Sequence, residues 1–268
     1  MKTLNRTIVL ACILFAPFAW TQDRLRLSTT TSTDNSGLLN VLLPPFENGC
    51  HCHIDVIAVG TGKALKLGES GDVDVVLVHA RALEDEFVQN GFGVNRRDVM
   101  YNDFVILGPA SDPAHIRSAK TSAEAFALIA RAQTPFISRG DESGTHVKEK
   151  EIWAAAKITP AGSWYRSVGQ GMGEVINMAT EERAYTLSDR GTYLAFKQGK
   201  TDLVILFAGE KGLFNPYGVI AVNPKRYPDV KYDLAMKFIE YLTGKEGQTV
   251  IAQYRIGGEQ VFFPSAKQ

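Results

Sequence analysis

Along the chain a short β-rich run, a Gly/Ser/Thr turn and an amphipathic helix follow one another repeatedly from about residue 25 onward, and this order constrains the fold more than any other feature. Strands that alternate with helices pair side by side and bury their faces under those helices, so the order predicts an α/β protein with mixed, mainly parallel sheets. Strand candidates are Leu25 to Ser28, Ile54 to Val59, Val73 to Val78, Phe104 to Leu107, Phe136 to Ser138, Ala184 to Leu187, Leu203 to Phe207 and Tyr217 to Val222. Leu38, Leu39, Leu42, Leu43 and Phe46 recur at helical spacing, in a helix that Pro44 and Pro45 should kink or shorten. Thr121 and Thr243 each stand three residues before a glutamate, Glu124 and Glu246, the spacing of a reciprocal helix cap. Further helices are expected over 143–156, 173–182, 190–196 and 233–242.

Two apolar segments, 101–109 and 214–222, read as strands by which the chain leaves one domain and returns to it. The resulting division is 23–108 plus 218–268 as lobe I and 109–217 as lobe II, with a ligand cleft between the lobes. Residues 1–22 read as a secretory signal: Lys2 and Arg6 precede an apolar run over 8–16 that is too brief to span a bilayer, and Pro17 and Ala19 follow. Cys12 loosely fits a lipoprotein signal. No later run is long and apolar enough to span a membrane, so a soluble, periplasmic monomer is expected, not an integral membrane protein. Lys plus Arg (29) equals Asp plus Glu (29), which leaves no global positive field to attract nucleic acid or anionic lipid. An anion site must therefore be local. Cys50-His51-Cys52-His53 reads as an exposed turn with a disulfide or free thiols, because ligands packed so tightly cannot all face one ion; no metal site is expected.

The stretch from Ser28 to Gly37 is dense in hydroxyls and lies between the first strand and the first helix. Hydroxyls and free amides can converge in such a turn on one point, where the helix dipole favours negative charge. Ordinary capping by β-favouring threonines explains the composition about as well. Ser138-Arg139-Gly140-Asp141-Glu142-Ser143-Gly144-Thr145-His146 repeats the arrangement and adds a forked cation at Arg139, with a capped surface arginine neutralised by Asp141 or Glu142 as the plainer alternative. Two glycine-rich turns, around Gly60-Thr61-Gly62 and Gly169-Gln170-Gly171, let backbone amides approach a ligand or simply turn the chain. His79 and His115 are scattered, and His146 reads as a helix-start residue. Trp153, Trp164, Tyr165, Tyr185 and Tyr193 read as core. There is no Gly-x-Ser-x-Gly elbow and no ordered His and Asp partners, which argues against a hydrolase.

At these loops the chain resembles the tungstate-binding proteins of bacterial ABC transporters, within the type II periplasmic binding-protein superfamily. The resemblance runs through Thr29-Thr30-Thr31-Ser32, the turn at Gly60-Thr61-Gly62-Lys63, the Arg139 loop, Gly169-Gln170-Gly171-Met172-Gly173 and Asn215-Pro216-Tyr217-Gly218. It implies the two-lobed type II fold and an oxyanion held by Thr30, Thr31, Ser32, Arg139, Ser143 and Thr145. Thr29, Thr61 and Gly144 are added to that set, and Gly62, Ser138 and Gly171 support it. The ligand implied is tungstate first and molybdate second, passed to an ABC permease without any cofactor or catalysis. A phosphate or sulfate receptor is the alternative, and a secreted phosphate-ester hydrolase the more distant one. Since tungstate carries no proton at neutral pH, Asp34, Asp141 and Glu142 are expected to point away from the ligand, where a phosphate receptor would aim a carboxylate at the ligand's proton.

Overall fold

The sequence supplies three β-branched or apolar runs that can lie side by side, and the computed structural model, which describes residues 22–197, 199 and 201–266, places them so. All but the last residue of the segment read as a secretory signal lies outside the described residues. Strand β1 (Asp23–Thr30) is followed by a short helix α1 (Thr31–Asn35), helix α2 (Leu39–Cys50) and strand β2 (Cys52–Val59). Helix α3 (Thr61–Ser70) leads to β3 (Val75–Val78), whose four residues are all buried, as a central strand requires. β1 pairs in parallel with β2 and β3, and Thr30 stands opposite Val59 while Thr29 stands opposite Leu77. The three strands therefore end together, at one edge.

Helix α2 passes through Pro44 and Pro45 instead of ending there. Each proline removes a backbone hydrogen bond, at about 3 kcal/mol for an interior position. Against that, Leu38, Leu39, Leu42, Leu43 and Phe46 are all buried along one stripe, and a buried leucine contributes about 1.5–3 kcal/mol. Packing outweighs propensity here.

Helix α4 (Arg81–Gln89), absent from the sequence expectations, precedes a 16-residue strand β4 (Gly93–Gly108). There follow α5 (Ser122–Ala132), β5 (Phe136–Ser138), α6 (Gly144–Ala155), β6 (Tyr165–Ser167), α7 (Met172–Glu181), β7 (Thr186–Asp189), α8 (Arg190–Lys197) and β8 (Val204–Phe207). Strand β9 (Phe214–Val222), α9 (Tyr232–Thr243), α10 (Lys245–Gln253), β10 (Arg255–Ile256), β11 (Glu259–Gln260) and β12 (Phe263–Pro264) complete the chain. The main sheet has the order β12-β4-β9-β3-β1-β2, and β7 and β8 pair with the far half of β4. It is a mixed α/β sheet. Parallel strand pairing joins β1 with β2 and β3 and β5 with β6, with one further isolated parallel bridge between Phe136 and Tyr185, while the two long strands β4 and β9 run antiparallel to their partners.

Of the two expected caps, Thr121 forms one: its hydroxyl accepts from the Glu124 amide at 3.1 Å. Thr243 does not. Its hydroxyl donates back to the Ile239 carbonyl at 2.8 Å, and Gly244 begins α10 without a side-chain cap. A second apolar cluster joins β5, α5, α6 and β7, where Phe126, Phe136 and Trp153 pack at 4.3–5.5 Å between ring centroids. Tyr185 and Tyr193 are buried as expected of core residues. Cys50 and Cys52 form a disulfide, and Cys52 is buried at the start of β2 and not part of an exposed turn. Among the described residues no helix is long and apolar enough to cross a membrane.

Candidate functional site

The ends of β1 and β2 and the turn after β5 face one another across a cavity of about 240 Å3. Thr31, Val59, Gly60, Lys63, Arg139, Asp141 and Gly171 are among its lining residues. Strand ends bring these groups together: side chains that follow the carboxyl ends of adjacent parallel strands are delivered to one crevice. Lys63 and Arg139 against Asp141 leave the lining with an excess of positive charge.

The first turn divides its hydroxyls between structure and cavity. Ser28 donates to the Ala64 carbonyl at 3.0 Å and Thr29 to the Leu77 carbonyl at 2.8 Å, so Thr29 holds β1 against its neighbours and does not line the cavity. Thr30 is the N-cap of α1, accepting from the Thr33 amide at 3.2 Å. Its hydroxyl lies 3.1 Å from that of Ser32 and 2.7 Å from that of Thr33. Thr31 alone is left over. Its hydroxyl is buried, has no hydrogen-bond partner and belongs to a residue that lines the cavity.

Arg139 stands opposite, 3% exposed, so it is no surface arginine. Its Nε lies 3.2 Å from both oxygens of Asp141 and its Nη2 2.6 Å from Oδ2. Burial alone would raise the Asp141 carboxyl, but the hydrogen bonds and charge of Arg139, with Ser143 donating, hold it below its ordinary value. Asp141 is thus a bound carboxylate that fixes the fork, and it lines the cavity where it was expected to point away. Asp34 and Glu142 are exposed, and Glu142 pairs with Lys150 at 2.7 Å. Gly140 makes the turn at φ +61°, with Ser167 where a side chain would start, so glycine is required.

Helix α6 begins beside this pair. Ser143 is its N-cap, accepting from the His146 amide at 3.2 Å, and the Gly144 amide donates to the Thr61 hydroxyl at 3.2 Å. That contact ties the β2–α3 turn to the β5–α6 turn. It also leaves the Thr61 proton available, because the oxygen is occupied as an acceptor. Thr145 carries a second buried hydroxyl without a partner. Gly62 lies across from the Glu142 carbonyl, and Gly171 is the N-cap of α7 at the cavity wall. Ser138 is buried at the end of β5, and its hydroxyl also has no hydrogen-bond partner. Burial pushes the Glu149 carboxyl up to about 7, although hydrogen bonds from Tyr165 and Trp153 act to lower it.

Two groups here escaped sequence reasoning. Lys63 lines the cavity but looked like part of a glycine turn. His79 looked isolated, yet it follows β3 as Thr31 follows β1, and its Nε2 lies 3.1 Å from Ser32 Oγ and 3.2 Å from Thr30 Oγ1. The common edge of the parallel strands was the available signal.

A mixed sheet with crossing long strands and a polar crevice at the parallel strand ends is the architecture of a receptor domain, and residues 17–246 match the PBP superfamily domain; the chain belongs to that superfamily. Within it, the chain belongs with the tungstate-binding proteins. It is 46% identical over 244 residues to the tungstate-binding protein TupA of Peptoclostridium acidaminophilum, covering 90% of this chain and 85% of that protein. The solved structure of the tungstate ABC transporter from Geobacter sulfurreducens is 68% identical, with a TM-score of 0.81 over 86% of this chain and 98% of that one. The tungstate-binding protein of Desulfovibrio alaskensis is 46% identical, with a TM-score of 0.77 over 91% of this chain and the whole of its own.

Proposed function

We propose that this protein is the extracytoplasmic receptor of an ABC importer, which captures tungstate, with molybdate as its nearest competitor, and hands it to a membrane permease. The observation that carries the reading is that Thr31, whose buried hydroxyl has no partner, lines the same cavity as the buried Arg139. Donors come from Thr31, Thr61, Ser143, Thr145 and Arg139, with Lys63 adding charge at the rim. Thr30, Ser32 and Gly144 hold the two turns in place, and Ser138 and Gly171 shape the wall. An unprotonated dianion suits this set. Both Asp141 oxygens are already engaged by Arg139 and one also by the Ser143 amide at 3.2 Å, so no carboxylate waits for a ligand's proton.

On this reading the lobes are 23–108 plus 218–268 and 109–217, the chain acts as a periplasmic monomer after removal of residues 1–22, and it performs no catalysis. Ser143, whose amide donates to Asp141, serves as a helix cap, which supports a binding role over hydrolysis. Each hydrogen bond to the charged ligand contributes about 1.5–3 kcal/mol, and exclusion of water on closure strengthens it. Calorimetric competition among tungstate, molybdate, sulfate and phosphate tests the reading. Tungstate and molybdate should displace the others by a factor of at least about 1000, a gap of about 4 kcal/mol. Preferred binding of phosphate would overturn it.

A further inference from the structure

Behind the first turn, side chains from five segments close a buried ring. His79 Nδ1 lies 3.0 Å from Asn215 Oδ1 on β9, and Asn215 Nδ2 donates to Asn102 Oδ1 on β4 at 2.6 Å. Asn102 Nδ2 reaches Asp189 Oδ1 at the end of β7 at 3.4 Å, and the same oxygen accepts from the Thr192 amide at 2.9 Å. Thr192 Oγ1 then donates to the Ser32 carbonyl at 3.3 Å, and Ser32 Oγ returns to His79 Nε2. Every member is buried.

The ring takes its direction from Asp189. Burial raises that carboxyl, while bonds from Thr192, the charge of Arg139 and the bond from Asn102 act to lower it. Its Oδ1 already accepts from the Thr192 amide, and as a carboxylate it has no proton to give, so the amide of Asn102 faces it and the Asn102 oxygen faces Asn215. Asn215 must then present its own oxygen to His79. That oxygen demands a proton on Nδ1, and Nε2 is left with a bare lone pair. Two hydroxyls, of Thr30 and Ser32, lie within reach of that lone pair, which accepts from one at a time. Tyr217 covers His79 at 4.7 Å between centroids, and Gly144 lies against the imidazole so closely that a Cβ there would stand 3.0 Å from it.

We propose that His79 is a positioning residue for the oxyanion site: Asp189, acting through Asn102 and Asn215, makes His79 Nε2 an acceptor, which takes one hydroxyl proton from the Thr30 and Ser32 pair and leaves the other to the hydroxyl contacts within the turn. The effect on the ligand is indirect. His79 is not among the residues that line the cavity, but it sets the polarity and the place of the turn that presents Thr31. The ring also ties that turn to β4 and β9, the strands by which the chain crosses between the proposed lobes. This inference rests on the receptor reading only for its consequence, since the ring's polarity exists without a ligand.

Nitrogen-15 NMR of the histidine rings in the wild-type protein tests the polarity without any substitution. His79 should show the proton on Nδ1 and a bare Nε2, and a proton on Nε2 would overturn the proposal. Asp189→Asn, which can donate where the carboxylate could not, should shift His79 toward the other tautomer; an unchanged spectrum from the folded variant would overturn the relay. Calorimetry with tungstate then reads the consequence. His79→Ala should weaken binding at least about 10-fold and His79→Gln, which retains an acceptor, by less. Wild-type affinity in a folded His79→Ala protein would overturn the positioning role. A wild-type protein that binds none of the four oxyanions would overturn the receptor reading and leave the ring to be decided by its tautomer.

Discussion

The two turns that face each other across the cavity look alike in sequence and are held by opposite means. After β1, a net of neutral hydroxyls closes on a neutral histidine, and the turn carries no charge of its own toward the cavity. After β5, a buried arginine is clamped by an adjacent carboxylate, and the hydroxyls on either side of it are caps or are left without partners. Hydroxyl richness therefore does not by itself define what a turn does. The first supplies placement and the second supplies charge.

Substituting the charge should have the largest effect. Arg139→Ala is expected to weaken tungstate binding by about 2–5 kcal/mol, because it leaves the half-buried Asp141 without its cation as well as removing the fork. Titration calorimetry that returned an unchanged affinity would remove Arg139 from the site.

The groups behind the turns should give opposite dependences on pH. Burial pushes His79 down to about 4, helped by the charge of Arg139 and opposed by its bond to Asn215. The unfolded ring protonates near 6.5, so this contribution to stability is complete above that pH and is lost as pH falls toward 4, by about 3 kcal/mol. Glu149 is raised to about 7 by burial, against an unfolded value near 4.5. Its contribution is complete below about 4.5 and is lost as pH rises through 7, again by about 3 kcal/mol. Urea melts across pH 4 to 8 should show His79→Gln flattening the acid limb and Glu149→Gln the neutral limb. Identical slopes in both variants would show that the two turns do not differ in this way.

Smaller effects separate hydroxyls within the first turn. Thr31→Val should raise the dissociation constant by an amount worth about 1.5–3 kcal/mol while leaving stability unchanged, since that hydroxyl has no partner in the protein. Thr29→Val should do the reverse, lowering stability by about 1 kcal/mol through the lost bond to Leu77 and leaving the affinity as it was. Paired melts and titrations would decide it, and a binding defect in Thr29→Val would return that residue to the site.

Much of the fold was legible because periodicity is a local property. The runs that became β2, β3 and β9 and the stripe of α2 announce themselves by apolar spacing, and the Thr121 cap by a three-residue offset. The same offset misled at Thr243, where the chain was already inside α9 and the hydroxyl found the Ile239 carbonyl first. Helix α4 went unseen because its buried face is narrow, with only Glu84 and Phe87 fully inside.

By itself the sequence determined the kinds of chemistry present: a hydroxyl-rich strand exit, an arginine beside a helix start, and no overall charge to compete with a local site. The tertiary structure alone decided which hydroxyls are free, that Asp141 clamps Arg139, and that His79 stands behind Thr30 and Ser32. A hydroxyl or an imidazole has its role set by the partners within about 3 Å of it, and those partners are 47 to 49 residues away along the chain for Ser32 and Thr30. Only the folding of β1 and β3 into neighbouring strands brings them together.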